Sequence, residues 1–387
     1  MSARLAGSSL ELDLFRETVQ EFVRKHVTPN LERFRDDRLI DRSLWIEAGA
    51  QGFLGLELPE KYGGAGTEDH RFVILFCEEL ARSSLALASS LGIHVDVVAP
   101  YLLELTTEEQ KDRWLPGFCS GHLITALAMT EPNAGSDLAA LKTRAQRDGT
   151  RWILNGSKTF ITNGTCADLV VVAARTGDVR REITLFGVES TRPGFAVGSK
   201  FDKVGQHEAD TAELFFSDIE LTDDDVIGRV GFGWEHMRER LTRERLHAAY
   251  VSLAHVEAAF DATLEYVTTR NAFGRSIGSF QNSRFQLAEA RVELDVARAY
   301  IDRCVDDYND GRLSDVSAAK AKYYATEIQN RIIDRCLQLH GGYGYIEEYA
   351  VARAWADARV TRIYAGSNEI MKEIIGRSLG LGEPRDA

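Results

Sequence analysis

The sequence predicts a mixed α and β protein, with a helical domain, a β domain and a helical bundle in that order. Three observations predict it: apolar residues spaced three or four apart in the first third, short strand-like runs in the middle, and long helical stripes at the end. A chain of 387 residues is long enough for two or three packed units. We set the domain bounds at residues 1–122, 123–230 and 231–387.

The helical domain begins with the segment LELDLFRETVQEFVRKHV. One face of this predicted helix carries Leu12, Phe15, Val19, Phe22 and Val23. The segments FVILFCEELARSS and LTTEEQKDRWLPGFCSG continue the helical pattern, and Thr107 is placed to cap the helix that contains Glu108 and Glu109. The glycine-rich run EKYGGAGTED predicts a break between the early helices.

The β domain is predicted from short runs rich in valine, threonine and aromatic residues. These runs are RWILNGSKTFITN, DLVVVAART, EITLFGVES, GFAVGSKF and TAELFFSDIEL. Three dipeptides predict turns that separate strands: Asn155-Gly156, Asn163-Gly164 and Pro193-Gly194. We expect the domain to end near Gly228.

The last third is predicted to be a bundle of long helices, because two apolar stripes run through it and prolines are almost absent. The first stripe consists of Phe285, Ala288, Val292, Val296 and Tyr300. The second consists of Tyr324, Ile328, Ile332, Cys336 and Leu339. We expect both to face the core.

The composition of the chain argues against several classes of function. Hydrophobic residues make up 44% of the chain and charged residues 27%, and no uninterrupted apolar stretch approaches about 18 residues, so we expect no membrane anchor. The net charge of −13 disfavours nucleic acid and anionic membranes as partners. Five scattered cysteines without a metal-ligand pattern indicate buried thiols and predict no metal site. The N-terminal segment has acidic residues and no apolar core, so we expect a cytoplasmic protein.

Five motifs carry a family resemblance: MTEPNAGSD, KTFITNG, NAFGRSIGSFQ, QLHGGYGYIEEY and RIYAGSNEI. They occur in the order found in acyl-CoA dehydrogenases, and together they span nearly the whole chain. Any one of them alone would be weak evidence. The resemblance implies that family's fold, with an N-terminal helical domain, a central β-barrel-like domain and a C-terminal four-helix bundle. It also implies FAD as the cofactor.

The resemblance implies which residues contact the flavin. The ring is lined by two segments that contain Met129, Thr130, Gly135, Ser136, Phe160, Ile161 and Thr162. Thr162 would offer its hydroxyl near N5. Phe160 stands where many relatives have tryptophan, and it keeps an apolar face without the indole donor.

Further residues are expected at the phosphates and the adenosine half. Arg270 would reach the diphosphate, because its planar fork suits paired hydrogen bonds, and Phe273, Phe280 and Gln281 would lie nearby. In relatives, the loop that holds Gln338, Gly341 and Gly342 reaches a flavin in a neighbouring subunit. Ser367 and Glu369 would touch the same end of the cofactor.

The catalytic base is the main departure from the family pattern. Many acyl-CoA dehydrogenases carry a glutamate in a YEG sequence before the last helix, whereas this chain reads Tyr364-Ala365-Gly366. Isovaleryl- and long-chain-type members carry the base on the first long C-terminal helix instead, and Glu244 stands there in an ER-L sequence. We therefore assign Glu244 as the base and the backbone N–H of Ala365 as a donor to the thioester oxygen.

One alternative to this assignment remains. Glu244 lies in the charged run RERLTRER, where it would also fit a solvated ladder of ion pairs. In that case the chain would be a catalytically silent flavin-binding subunit. The pairing of a lost acid at Ala365 with a gained acid at Glu244 favours catalysis.

Contacts with the acyl thioester are assigned to residues beside the base and the loop. They are Ser136, Thr242, Arg243, Arg245, Tyr364 and Gly366. Arg243 facing solvent is the alternative for that residue, and Arg245 would also support the base. The resemblance implies a trans-2-enoyl-CoA product from a medium to long acyl chain, with a short branched isovaleryl-type substrate as the alternative. It also implies a homotetramer that passes electrons to an electron-transferring flavoprotein.

Overall fold

The structure is a computed structural model that describes residues 10–381. The outer limits of the predicted first and last domains, at residues 1 and 387, lie outside the described residues. Helices form the N-terminal part, an eight-stranded sheet follows, and long helices complete the chain. This is the predicted order.

The N-terminal part contains α1 to α7. They are α1 (Leu10–Phe22), α2 (Leu31–Asp37), α3 (Arg42–Ala50), α4 (Arg71–Ser83), α5 (Leu85–Gly92), α6 (Ala99–Leu105) and α7 (Glu108–Ser120). The predicted face of α1 packs inward, with Leu12, Val19 and Phe22 buried. Thr107 caps α7 as expected and forms a capping box with Gln110.

A segment from Leu85 to Leu105 is long and apolar enough to cross a membrane, but 89% of its most apolar stretch is buried inside the protein. It consists of α5, a π-helical segment at Ile93–Val98, and α6. This segment is not one uninterrupted apolar run in the sequence, because His94 and Asp96 interrupt it. Its burial is that of a core helix.

The β domain forms a single sheet. Its strands are β1 (Thr125–Ala128), β2 (Arg144–Asp148), β3 (Arg151–Thr162), β4 (Leu169–Arg175), β5 (Ile183–Glu189), β6 (Phe195–Lys200), β7 (Thr211–Leu221) and β8 (Val226–Ile227). The order across the sheet is β6-β7-β3-β2-β4-β5-β8, and β1 pairs in parallel with β4. All five predicted strands are present.

Three short strands, β1, β2 and β8, were not predicted, and one turn was predicted incorrectly. The strand signal at β1 and β2 is weak because β1 has four residues and β2 buries only Ala145. Asn155-Gly156 is not a turn. It lies inside β3, where the register with β7 shifts between Leu154 and Gly156, so the pair forms a bulge.

The C-terminal part contains α8 (Gly233–Thr269), α9 (Gln281–Asn309), α10 (Asp315–His340), α11 (Ala350–Ala358) and α12 (Asn368–Ser378). A short hairpin, β9 (Asn271–Ala272) and β10 (Arg275–Ser276), joins α8 to α9. The predicted stripe on α10 is confirmed, with Ile328, Ile332 and Cys336 buried.

The prediction that the apolar stripe on α9 faces the core was wrong for the isolated chain. Phe285, Val292 and Val296 are 57%, 62% and 56% exposed. The face of α9 that packs inward instead carries Ala290, Leu294, Ala297 and Ile301. Apolar residues occur on two faces of this helix, and the face with smaller side chains fits against the bundle.

Candidate active site

Glu244 lies in the N-terminal third of α8 and is half-buried. Its neighbours along the helix, Arg243 and Arg245, are buried. Among residues 10–381, the carboxylate of Glu244 forms no hydrogen bond and no ion pair within 4.0 Å. A carboxylate without a protein partner is available to a ligand.

Electrostatics around Glu244 suit a base. Burial raises the pKa of the carboxyl group above its ordinary value of 4.5. Arg245, His247 and Lys322 oppose that rise in the pKa of Glu244, and the negative charge of Asp96 adds to it. A carboxylate with a raised pKa is a stronger base and can still be ionised near neutral pH.

The loop at residues 364–366 has a strained backbone. Ala365 has φ 52° and Gly366 has φ 84°, both in the left-handed region that an alanine rarely occupies. Within residues 10–381, the N–H of Ala365 donates no hydrogen bond to the protein. This backbone donor is therefore available to a ligand.

Lys322 on α10 connects the loop to Glu244. Its ammonium donates to the carbonyl oxygen of Gly366 at 2.7 Å and to Oδ1 of Asn368 at 2.9 Å. The same charge acts on the carboxylate of Glu244. The side chain of the expected base and the loop with the free N–H therefore share one cation.

A buried ion pair supports the segment that contains Met129 and Thr130. Nζ of Lys158 donates to Oε1 of Glu131 at 2.8 Å and to the carbonyl oxygen of Met129 at 3.0 Å. Glu131 also accepts the backbone N–H groups of Lys142 and Thr143. Lys158 is fully buried, so this pair holds the segment against β3.

The end of β3 presents an aromatic side chain outward. Phe160 has φ 58°, is 65% exposed, and lies 5.2 Å from the ring of Phe201. The register of β3 with β7 shifts between Lys158 and Ile161, and this irregularity turns Phe160 outward. Ile161 is buried and Thr162 is half-buried.

Asn163 anchors the turn after Thr162. Its Nδ2 donates to the carbonyl oxygens of Ser90 and Thr125, each at 3.0 Å, and its Oδ1 accepts from the hydroxyl of Ser90. The side chain thus joins β3 to α5 and β1. Sequence reasoning identified a turn here but missed this role.

Arg243 requires a correction. It does not face solvent: its guanidinium is buried and donates to Asp96 at 2.5 Å, to Glu57 at 2.6 Å and to the hydroxyl of Tyr308 at 2.9 Å. Its Nε, Nη1 and Nη2 are all engaged inside the protein. Arg243 therefore stabilises the packing of α8, and the expected thioester contact is not supported.

Thr242 and Arg245 both interact with Asp315 at the start of α10. The hydroxyl of Thr242 donates to Oδ1 at 3.2 Å, and Arg245 forms an ion pair with the same oxygen. Arg245 also lowers the pKa of Glu244, which fits its expected support of the base.

The residues expected at the cofactor phosphates lie far from Glu244. Arg270 follows the last residue of α8, and 26 residues of helix correspond to about 39 Å. Phe273 is 96% exposed, and its ring contacts Phe280. Gln281 begins α9 and is exposed. One chain alone does not bring these residues to the flavin ring site.

The loop after α10 is equally open. Gln338, Gly341 and Gly342 are exposed, and an added Cβ at either glycine would meet no atom of the described part of the chain within 4 Å. Gly341 has φ 60°, which favours glycine. No atom of the described residues 10–381 occupies the space beside Gly342, so that space is available to another molecule.

The remaining predicted residues lie in the loop at residues 364–366, at the start of α12, and between β1 and β2. Ser367 caps α12 by accepting the N–H of Ile370, and Glu369 is exposed in the first turn of that helix. Burial raises the pKa of Tyr364 to about 12. Gly135 and Ser136 are exposed, and an added Cβ at Gly135 would meet no atom within 4 Å.

A cavity of about 460 Å³ lies away from these residues, against the C-terminal half of α8 and α11. His255, Tyr266 and Asp357 are among its lining residues. It contains none of the residues predicted for the flavin or the thioester.

Three family models match the chain in succession. They are the acyl-CoA dehydrogenase N-terminal domain at residues 9–122, the middle domain at residues 126–219 and the C-terminal domain at residues 231–380. The chain belongs to the acyl-CoA dehydrogenase family. It is therefore an oxidoreductase that acts on acyl-CoA thioesters.

Curated relatives include members with different substrates. The mitochondrial long-chain specific acyl-CoA dehydrogenase of Rattus norvegicus is 42% identical over 375 residues, which is 96% of this chain and 87% of the relative. The mitochondrial isovaleryl-CoA dehydrogenase of Pongo abelii is 34% identical over 96% of this chain and 89% of its own length. The long-chain and isovaleryl-type resemblance is confirmed.

Solved structures share the fold. An acyl-CoA dehydrogenase from Geobacillus kaustophilus is 41% identical with a TM-score of 0.95, covering 98% of this chain and all of that one. A glutaryl-CoA dehydrogenase from Mycobacterium smegmatis, in complex with FADH2, has 27% identity and a TM-score of 0.91 over 98% of this chain and 97% of that one. A chain solved in work on an electron-transferring flavoprotein of Acidaminococcus fermentans has 34% identity and a TM-score of 0.93, covering 98% of this chain and all of that one.

The acyl-CoA dehydrogenase is FAD-dependent, and its exposed features fit the cofactor. Phe160 offers an uncovered aromatic face beside Thr162, which suits a planar ring system. Gly135 leaves open space for a close backbone approach. Bound FAD supplies hydride acceptance, and the protein residues supply binding, orientation and the base.

Sequence reasoning missed Lys322, Lys158 and Asn368. A signal for Lys322 was present, because this lysine interrupts a run of alanines on the buried face of α10. A lysine at a buried position requires a partner. The sequence does not reveal that the partner is a carbonyl 44 residues later.

Proposed function

We propose that this acyl-CoA dehydrogenase converts a saturated medium- to long-chain acyl-CoA to the trans-2-enoyl-CoA, with Glu244 as the base. The observation that carries the proposal is the half-buried carboxylate of Glu244, which has a raised pKa and no hydrogen-bond or ion-pair partner among residues 10–381. The usual loop acid is replaced by Ala365, so the loop offers no competing carboxylate.

The α proton of a thioester becomes removable when the developing enolate is stabilised. Glu244 takes that proton, and the free N–H of Ala365 donates to the thioester oxygen as negative charge develops there. Tyr364, Gly366, Thr242, Arg245 and Ser136 surround the thioester in this proposal. The β hydride leaves towards the cofactor, on the opposite side from Glu244.

The flavin contacts are proposed as expected from the family, but shared between subunits. Met129, Thr130 and Thr162 belong to the ring site of one chain. Arg270, Phe273, Phe280, Gln281, Gln338, Gly341 and Gly342 would serve the flavin of a neighbouring copy. The helix length of about 39 Å between Glu244 and Arg270 supports this division, because it places Arg270 far from the proposed base of the same chain.

A homotetramer fits the same observations. The exposed face of α9, which carries Phe285, Val292 and Val296, would be covered by another copy. We further propose that an electron-transferring flavoprotein reoxidises the enzyme in the cytoplasm. The net charge of −13 supports neither nucleic acid nor an anionic membrane as a partner.

The choice of a medium to long chain rests on greater identity to the long-chain relative, 42% against 34% for the isovaleryl relative. A short branched substrate is the second candidate, since the isovaleryl relative also matches along 96% of the chain.

The test is anaerobic bleaching of the bound flavin by octanoyl-, palmitoyl- and isovaleryl-CoA. We expect the two straight-chain substrates to reduce the flavin faster than isovaleryl-CoA. Preferential bleaching by isovaleryl-CoA would reassign the substrate. A saturated flavin that no acyl-CoA bleaches would instead indicate the silent subunit, and rapid peroxide formation in air would indicate an oxidase.

A further inference from the structure

Lys322 is a buried cation in an apolar helix face. Its side chain is fully buried, and Ala318, Ala319, Ala321 and Ala325 are buried on the same helix. An ammonium in such surroundings is costly unless its donors are satisfied. Two of its three donors bond to the carbonyl oxygen of Gly366 and to Oδ1 of Asn368.

A second layer of hydrogen bonds holds this arrangement. Nδ2 of Asn368 donates to Oε1 of Glu327 at 2.7 Å and to the hydroxyl of Thr326 at 3.0 Å. The carboxylate of Glu327 in turn pairs with Arg362 at 2.9 Å. Asn368 is therefore fixed between α10 and the loop, and its oxygen is presented to Lys322.

The charges that face Lys322 come from three helices. They are Glu369 on α12, Arg245 and Glu244 on α8, and Glu327 on α10. Burial lowers the pKa of Lys322 to about 8, and the nearby carboxylates, Glu369 first, oppose that change. The side chain is thus mostly charged at neutral pH.

Several charged groups also act on the carboxylate of Glu244. Arg245, His247 and Lys322 favour its ionised form, while burial and Asp96 oppose it. Tyr101, on α6, also lies within electrostatic range of Glu244. Arg245 and His247 have carboxylate partners of their own, Asp315 and Asp96. Neither of them bonds to the loop, whereas Lys322 does.

We propose that Lys322 is a positioning residue for the dehydrogenation. Its ammonium holds the carbonyl of Gly366, and thereby the strained loop whose Ala365 N–H faces the thioester oxygen, and its charge keeps Glu244 ionised. The proposal rests on Glu244 being the base. Lys322 itself touches neither substrate nor cofactor.

The experiment compares Lys322→Met with Lys320→Met in the FAD-loaded enzyme. Lys320 lies two residues earlier on α10 and is exposed, so its loss controls for the removal of a charge. We expect Lys322→Met to slow flavin reduction by octanoyl-CoA by about tenfold or more. Because a cation that favours the carboxylate is lost, the acid limb of the pH profile should move to higher pH by about one unit.

A spectroscopic readout tests the loop separately. The infrared carbonyl stretch of bound trans-2-octenoyl-CoA reports polarisation by the Ala365 N–H. We expect weaker polarisation in Lys322→Met and wild-type polarisation in Lys320→Met. Either a wild-type acid limb or a wild-type carbonyl stretch in Lys322→Met would overturn the proposal.

Two further variants separate the possible failures. Lys322→Gln keeps a donor for the Gly366 carbonyl, so it provides the pH test if Lys322→Met loses FAD. The acid limb of its pH profile should also move to higher pH. An acid limb at the wild-type position would count against the proposal. Glu244→Gln tests the base itself. If that variant still reduces flavin normally, the base assignment fails. If it is inactive while the Lys322 variants behave as wild type, only the role of Lys322 fails.

Discussion

Two regions supply the proposed groups of the thioester site, and they are built in opposite ways. Glu244 is a side chain on a regular helix, and its position follows from the packing of α8. The loop at residues 364–366 contributes a backbone N–H, and its position depends on a left-handed Ala365 and on the bond from Lys322 to Gly366. An acid can therefore move between elements while the donor stays in the loop, because the donor needs no particular side chain.

The strongest test of this comparison removes the acid from the helix. Glu244→Gln should retain FAD but slow flavin reduction by about 10²- to 10⁴-fold, the range for loss of a general base. Rapid-mixing measurement with octanoyl-CoA gives the rate. Glu239→Gln, an exposed glutamate on the same helix, is the matched control and should reduce at the wild-type rate.

The second test returns an acid to the loop. Adding Ala365→Glu to Glu244→Gln should restore reduction by about tenfold or more, since the new carboxylate would stand on the same backbone. Alanine already adopts φ 52° there, so the substitution adds no new backbone requirement. The double variant with Ala365→Gln provides the control, and equal rates for the two would show that the loop does not reach the α carbon.

The third test strains the loop and leaves the helix intact. Gly366→Ala places a Cβ 2.7 Å from Cε of Met371 at a φ of 84°, and should lower the free energy of unfolding by about 1–2 kcal/mol. Gly376→Ala, inside α12 with open space around it, should instead raise that free energy by up to about 1 kcal/mol. Urea unfolding measures both, and the same sign for both would contradict the strain argument.

The smallest expected effect is a displacement of the pH profile. Because the folded protein raises the pKa of Glu244 above 4.5, reduction should fall as acid protonates the base at a pH above that value. The protonated form is favoured in the folded state, so this group contributes stability at low pH that is lost as pH rises through its folded pKa. An acid limb at or below pH 4.5 would contradict the assignment.

Parts of the site were predictable because local patterns specify them. Thr107 followed by acidic residues predicted a helix start, and the motif around Thr162 predicted a turn that the structure contains. Asn155-Gly156 was wrongly predicted to be a turn, because the same dipeptide also suits a bulge within a strand. Phe285 and Val292 were wrongly predicted to face the core of this chain, because an apolar stripe does not reveal whether the surface that covers it belongs to the same chain.

The sequence by itself determined the order of the domains and the family, and it predicted Glu244 as the base in place of the usual loop acid, since these inferences depend on residue types and their spacing. Tertiary structure decided that Arg243 is an internal ion-pair partner, that Glu244 has no such partner within residues 10–381, and that Lys322 reaches Gly366. The sequence shows which residues are charged, but it does not show which of them are buried. The partners of a charged residue come from helices that only folding brings together, and desolvation then sets how strongly they interact.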